Sequence, residues 1–347
     1  MTRTIIVTGA GGVGKTTLSA ALGATIASES NTTLVLTIDP AKRLADALGV
    51  EHLGDEPALV ADCEGLWAAM LDVSSSWEAI IHRYADPVVG RRLLANPYFR
   101  AIADRFPAAQ SYAASERMAE YIESKRFDTI IVDTPPSGGG IDFFRAPAMT
   151  NELISGKLLR WLTGSNLPGR DFFYRFTARP MLRMADMVLG GPMLSEVADF
   201  LLDLRTMYDA LSNRSRTIER YLKQSTTVIA TTADPTPIHE TRRFFSELGG
   251  IDITPEAIIF NRKLPEAWID ASRKPLRGID DPELRSKTKH NLSLWAAEAR
   301  RQSDAASELS ARYHVPVYPV PWVTPSPQTI DALIRLVATS GIAEDLV

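Results

Sequence analysis

A chain of 347 residues that is 45% hydrophobic has the material for a large buried core, so disorder is not expected. Its 38 basic residues against 42 acidic ones leave a net charge of −4, and no basic field is present to attract a nucleic-acid backbone. Cys63 is the only cysteine, which excludes an internal disulfide and any Cys-x-x-Cys metal clip and fits a reducing, cytoplasmic setting.

In chain order, the apolar run "TIIVT" (4–8) predicts a first strand that follows the start directly, leaving no charged or cleavable leader. It leads into "GAGGVGKTT" (9–17) and a helix over 16–28. A glycine-rich loop between a strand and a helix, ending Gly-Lys-Thr, is the arrangement that binds phosphate. Gly9, Gly11, Gly12 and Gly14 let the backbone curl so that N–H groups, that of Val13 included, face phosphate oxygens, and the helix adds its positive end. Lys15 then reaches the β and γ phosphates, and the Thr16 hydroxyl, with Thr17 beside it, suits a Mg²⁺-bound nucleotide. The competing reading is an ordinary glycine-rich turn with a chance lysine and threonine.

The second strand, "TLVLTI" (33–38), ends at Asp39, before a helix over 42–48. Two roles for Asp39 stand equal on spacing alone. It can cap the helix ahead of a first-turn proline, or it can orient an attacking water. "LWAAMLD" (66–72) predicts a third strand, after which residues 74–125 show helical spacing and almost no strand signal. "DTIIVD" (128–133) predicts a strand that delivers Asp133 to the carboxyl edge of a sheet, either as a cap for the next turn or as a Mg²⁺ partner acting through water. Ser137 and Gly138 follow in a loop whose backbone N–H groups can sense a γ phosphate.

Residues 142–224 are again helical in spacing. Six of the nine methionines, Met149, Met181, Met184, Met187, Met193 and Met207, lie between 149 and 207. With Val188, Leu194, Val197 and Leu201 they suit either the core of a helical subdomain or an adaptable groove for a hydrophobic helix. Strands at "TTVIAT" (226–231), "EAIIF" (256–260) and "VPVYPV" (315–320) alternate with helices over 236–248, 282–313 and 326–339, the second opening on Asp281 as cap and Pro282 in the first turn. No apolar segment reaches the roughly 20 residues of a membrane span.

Strands that are continuously apolar are covered on both faces, as in a parallel sheet flanked by helices. The predicted fold is therefore α/β, a P-loop nucleotide-binding unit with a central, mostly parallel sheet. One such domain spans 1–347 and carries a helical subdomain built from insertions at about 74–125 and 142–224.

Three motifs in this order, "GGVGKTT", "TIDPAKRLADALG" and "IVDTPPSGG", closely resemble the ArsA and Get-type ATPase family within the MinD/ParA branch of P-loop proteins. "TTADPTPIHETRRFFSELG" (231–249), "AIIFNRKLP" (257–265) and "VPVYPVPWV" (315–323) extend the likeness over most of the chain, which weakens in 74–125 and 150–222. The resemblance implies ATP and Mg²⁺ as ligands, Asp39 as the water-activating residue, Asp133 as the Mg²⁺-linked one and Gly138 at the γ-phosphate-sensing position. It also implies Asn261 and Pro321 on the adenine. Lys42, Gly139 and Gly140 depart from the better-known relatives in the two switches.

Ala10 is a further departure. In this branch a lysine at that position reaches across a dimer to the partner's nucleotide, adding charge in trans as an arginine finger does. Bacterial members of the family resemble paired paralogues, one without this lysine. The resemblance implies a homodimer, or a heterodimer in which a paralogue supplies the lysine. The competing reading is a nucleotide-binding regulatory subunit with little hydrolysis; nothing resembles the acceptor lid of a small-molecule kinase. Arsenite, soft and trivalent, needs about three thiolates, which Cys63 alone does not supply.

Overall fold

The computed structural model describes residues 2–29, 31–39, 43–105, 107–135, 138–155 and 193–346. The described chain forms two compact units: Met1–Leu71, Glu120–Ile141 and Gln224–Val347 make the first, Asp72–Ala119 and Asp142–Lys223 the second.

The first unit is built on β1 (Arg3–Gly9), β2 (Thr33–Thr37), β3 (Ala58–Leu59), β4 (Leu66–Met70), β5 (Thr129–Asp133), β6 (Thr226–Thr231), β7 (Ala257–Lys263) and β8 (Val317–Pro321). They form one sheet in the order β3-β4-β2-β5-β1-β6-β7-β8. Every pairing is parallel except that of β3 with β4. The central strands are apolar without alternation because both faces are covered, and Ile5, Ile6, Val7, Leu34, Val35, Leu36, Ile130, Ile131 and Val132 are fully buried.

Helix α1 (Lys15–Ser28) buries Leu18, Ala20, Ala21, Leu22, Ala24 and Ile26 in the main apolar cluster, its alanines letting the backbone lie close to neighbours on every side. α2 (Arg43–Leu48) adds Leu44, Ala45, Ala47 and Leu48 to the same cluster.

The second unit begins with α3 (Val73–Tyr84), α4 (Pro87–Ala95), α5 (Pro97–Arg105) and α6 (Pro107–Ser124), the last running on into the first unit. Polar caps set these starts. Asp72 accepts from the Ser75 N–H at 2.7 Å, Asp86 from that of Val88 at 2.9 Å, and Asn96 from that of Tyr98 at 2.9 Å, with Pro87 and Pro97 in the first turns. α7 (Gly138–Ser155) leads back into this unit, which continues through α8 (Met193–Thr206) and α9 (Tyr208–Gln224). Its core stacks Trp77 on Tyr112 at 5.7 Å and sets Phe99 edge-on to Trp77 at 5.8 Å.

Of the methionine-rich positions, Met181, Met184, Met187 and Val188 lie outside the described residues. Met207 is buried, Met149 is exposed, and Val197 and Leu201 are half-buried in α8.

The chain ends in the first unit with α10 (Pro235–Gly249), α11 (Ala267–Arg273), α12 (Pro282–Tyr313), α13 (Ile330–Ala338) and α14 (Ile342–Leu346). Asp281 caps α12, accepting from the N–H groups of Glu283 and Leu284 at 2.8 and 3.3 Å, with Pro282 in the first turn. α13 starts four residues later than the expected 326, because Pro327 withholds an N–H and Thr329 takes the cap, accepting from the Ala332 N–H. Helices α11 and α14 and the two-residue strand β3 are too short to show a period in the sequence. No described helix is long and apolar enough to cross a membrane.

Candidate nucleotide site

Parallel pairing places three distant residues side by side. Asp133 is in register with Val7 of β1 and with Thr37 of β2, so the end of β5 lies level with the approach to the glycine-rich loop. Gly9 closes β1 against β6. Its φ is +145°, and a Cβ there would stand 2.1 Å from the Ala230 carbonyl oxygen, so no other residue fits. Gly14 caps α1 at φ +91°, and an added Cβ would meet the Asn261 amide at 2.6 Å.

Lys15 is buried at 7% exposure, its ammonium donating to the carbonyl oxygens of Gly9 at 3.1 Å and Ala10 at 2.9 Å. Burial pushes its pKa down, and the negative charges of Asp133 and Asp39 oppose that shift. Carbonyl oxygens cannot neutralise an ammonium. The loop therefore presents a desolvated cation inside a ring of backbone, suited to an anion.

Asp133 is fully buried. Its Oδ2 accepts from the hydroxyls of Thr16 at 2.7 Å and Thr37 at 3.0 Å, while Oδ1 has no hydrogen-bond partner among the described residues. Burial pushes the carboxyl up to about 6, and the two hydroxyls and Lys15 pull against it. An orphaned carboxylate oxygen beside a threonine hydroxyl is a hard-oxygen donor set of the kind Mg²⁺ takes through its waters, so these residues fit that ion.

Asp39 follows β2, its backbone N–H donating to the Thr37 hydroxyl at 3.3 Å. The Arg43 guanidinium reaches its Oδ2 at 3.3 Å. Lys42 and Ser137 lie outside the described residues, and Gly138 opens α7.

Two clefts meet at the loop, sharing Gly14, Thr17, Arg262, Ser326 and Pro327. One, of about 390 Å³, is lined by Gly12, Lys15, Thr16, Asp39, Arg43 and Thr134 among others. The other, of about 360 Å³, is bounded by Asn261, Pro321, Trp322 and Val323. The first is lined by an ammonium, threonine hydroxyls and loop glycines suited to phosphate, the second by a proline, an indole and an amide suited to a flat base. Asn261, in the second cleft, ties it to the glycine-rich loop, donating to the Val13 carbonyl at 2.7 Å and accepting from the Arg262 N–H at 2.9 Å.

The family model of the anion-transporting ATPases matches residues 2–278. The chain belongs to this ATPase family. Proteins named ATPase GET3 are among its relatives. That of Rhodotorula glutinis is 24% identical over 312 residues, covering 90% of this chain and 80% of that protein. That of Aspergillus terreus is 26% identical over 266 residues, covering 76% and 73%. That of Mycosarcoma maydis is 26% identical over 262 residues, covering 75% and 72%.

Within this ATPase frame, Lys15, Thr16, Asp39 and Gly12 line the first cleft, Asn261 and Pro321 line the second, and Gly14 and Thr17 line both. Gly11 is exposed on the loop and Val13 is buried under it. Ala10 is 4% exposed and belongs to the main apolar cluster, so its methyl packs inward and only its carbonyl faces Lys15. Thr37, Arg43, Thr134, Arg262 and Trp322 also build the site and escaped sequence reasoning. Only the cap-like spacing from Asp39 to Arg43 and the Arg262 that follows Asn261 could have drawn notice.

Proposed function

We propose that this ATPase binds ATP with Mg²⁺ across the two joined clefts, base against Asn261 and Pro321, phosphates in the glycine-rich loop, and cleaves the terminal phosphate with a water held by Asp39. The observation that carries the reading is the meeting of a desolvated Lys15, a half-satisfied buried Asp133 and Asp39 at one loop. Backbone N–H groups of Gly11 to Thr16 and the Lys15 ammonium hold the β and γ phosphates, and Gly138 opens the helix that senses the γ phosphate. Thr16 and Asp133, the latter through water, hold Mg²⁺, which when bound neutralises phosphate charge. Asp39 accepts a hydrogen bond from the attacking water. The water oxygen bonds to the γ phosphorus as the bond to the β-bridging oxygen breaks, and the water proton leaves on the released phosphate. The contact of Asp39 with Thr37 uses the backbone N–H and not the carboxylate, so it is compatible with a side-chain role on water.

The nucleotide state governs a dimer and, through it, the binding of a partner or hydrophobic helical client; the alternative is a regulatory subunit that hydrolyses little. Ala10 favours a second subunit that supplies the missing cation, because phosphoryl transfer gains mainly from positioned positive charge. Steady-state turnover of the purified chain, alone and with a lysine-bearing paralogue, tests this. Slow turnover that rises with paralogue concentration supports the shared site. Fast turnover by a strict monomer, unaffected by the paralogue, overturns it. Because Ala10 is buried in the apolar cluster, Ala10→Lys is the poorer test: the new ammonium has to leave a packed interior first.

A further inference from the structure

Among the described residues, five charged side chains line the cleft at Lys15: Lys15, Arg43 and Arg262 against Asp39 and Asp46. Lys15 is held by two loop carbonyls, and Arg262 stands where the two clefts join. Arg43 differs from both. It is the first residue of α2, and its guanidinium lies 3.3 Å from Asp39 Oδ2, four residues back in the chain. The Arg43 side chain is 63% exposed while that of Asp39 is 16% exposed, so the cation sits on the solvent side of the carboxylate, at the mouth of the cleft.

An ion pair this exposed contributes little, because water screens both charges and the long arginine side chain loses rotamer freedom to hold one geometry. A terminal phosphate entering the same cleft offers more charge and three acceptor oxygens that fit the planar fork of a guanidinium. In that competition the phosphate wins. What it takes from Asp39 is the guanidinium at Oδ2.

We propose that Arg43 is an exchangeable counter-ion, paired with Asp39 until the γ phosphate of ATP arrives and with the phosphate thereafter, so that ATP itself releases Asp39 to hold water. The proposal rests on the reading of this cleft as an ATP site with Asp39 on the water. It adds a cation delivered in cis, from the chain whose Ala10 offers none across an interface. ADP lacks the group that would take Arg43 away, so the pair re-forms after phosphate leaves and the carboxylate is quiet again.

Calorimetric titration of the full chain with ATP and with ADP, both with Mg²⁺, tests this. Arg43→Ala is expected to weaken ATP about tenfold and ADP less than twofold, with Arg43→Lys recovering part of the difference, since only the γ phosphate is lost as a partner. Asp39→Asn removes the competitor, so this variant is expected to bind ATP several-fold more tightly than wild type, a gain that vanishes in the Asp39→Asn, Arg43→Ala double variant. Equal losses for ATP and ADP in Arg43→Ala, or no loss, overturn the exchange while leaving the nucleotide site in place. A wild-type chain that binds neither nucleotide, or a Lys15→Ala variant that binds both as wild type does, overturns the site and the exchange together. Arg43 is exposed, so its variants fold, and unchanged thermal melting of the free protein confirms that the ratio reports on ligand.

Discussion

Two buried carboxylates, one in each unit, are treated in opposite ways. Glu116 in the helical unit is 1% exposed and satisfied on both oxygens: Arg214 donates to Oε2 at 2.6 Å, and Arg83 and Tyr84 donate to Oε1 at 3.1 and 3.2 Å. Asp133 in the sheet unit is 0% exposed and satisfied on one oxygen, by neutral hydroxyls, with its carboxyl pushed up to about 6 by burial. A carboxylate surrounded by the protein's own cations ties helices together. One left with an orphaned oxygen beside a glycine-rich loop has acceptor capacity that the described residues do not use. Burial alone does not distinguish these two carboxylates; the partners each has do.

The strongest way to break this contrast is Lys15→Ala. Removing the only buried cation of the loop is expected to cost at least ~100-fold in ATP affinity, read by calorimetry, because the phosphates lose their main charged partner. Affinity that does not move would end the assignment of the loop. Glu116→Ala should do the reverse: about 3 kcal/mol of stability lost in urea unfolding, as Arg214, Arg83 and Tyr84 lose the buried acceptor they share, and no change in ATP affinity. A variant that loses ATP affinity without losing stability would show that Glu116 is no mere tie.

Smaller effects sharpen the sheet side. Asn261→Ala should weaken ATP by about 2 kcal/mol and blur adenine against guanine, since it strips the base-side amide and leaves the Val13 carbonyl without its 2.7 Å donor. Competition between ATP and GTP measures this, and undiminished discrimination would reduce Asn261 to a brace for the loop. Asp39→Asn should lower kcat about tenfold without weakening ATP binding, because an amide still fills the space but its neutral oxygen is a weaker acceptor for the water's hydrogen bond. Single-turnover hydrolysis decides it, and an unchanged rate would leave Asp39 with its local role only.

Local patterns in the sequence were sufficient for much of this molecule. Seven of the strands, the loop "GAGGVGKTT", and the Asp281 and Pro282 start of α12 are set by runs, caps and prolines within a few residues of one another. Lys15, Thr16, Asp39, Asp133 and Asn261 were likewise legible, because each ends or opens such an element and matches a motif. Other features needed the tertiary structure. Thr37 and Asp133 are 96 residues apart and Thr16 and Asp133 117 apart, and only the parallel crossovers bring their oxygens together. Arg262 reaches the cleft from an irregular step in β7 at φ +58°, Ala10 turns inward to the apolar cluster, and Glu116 finds Arg214 98 residues away. A period or a cap depends on neighbours in the chain. Which oxygen of a buried carboxylate is left over depends on every element that packs around it, and that is decided only when the sheet closes.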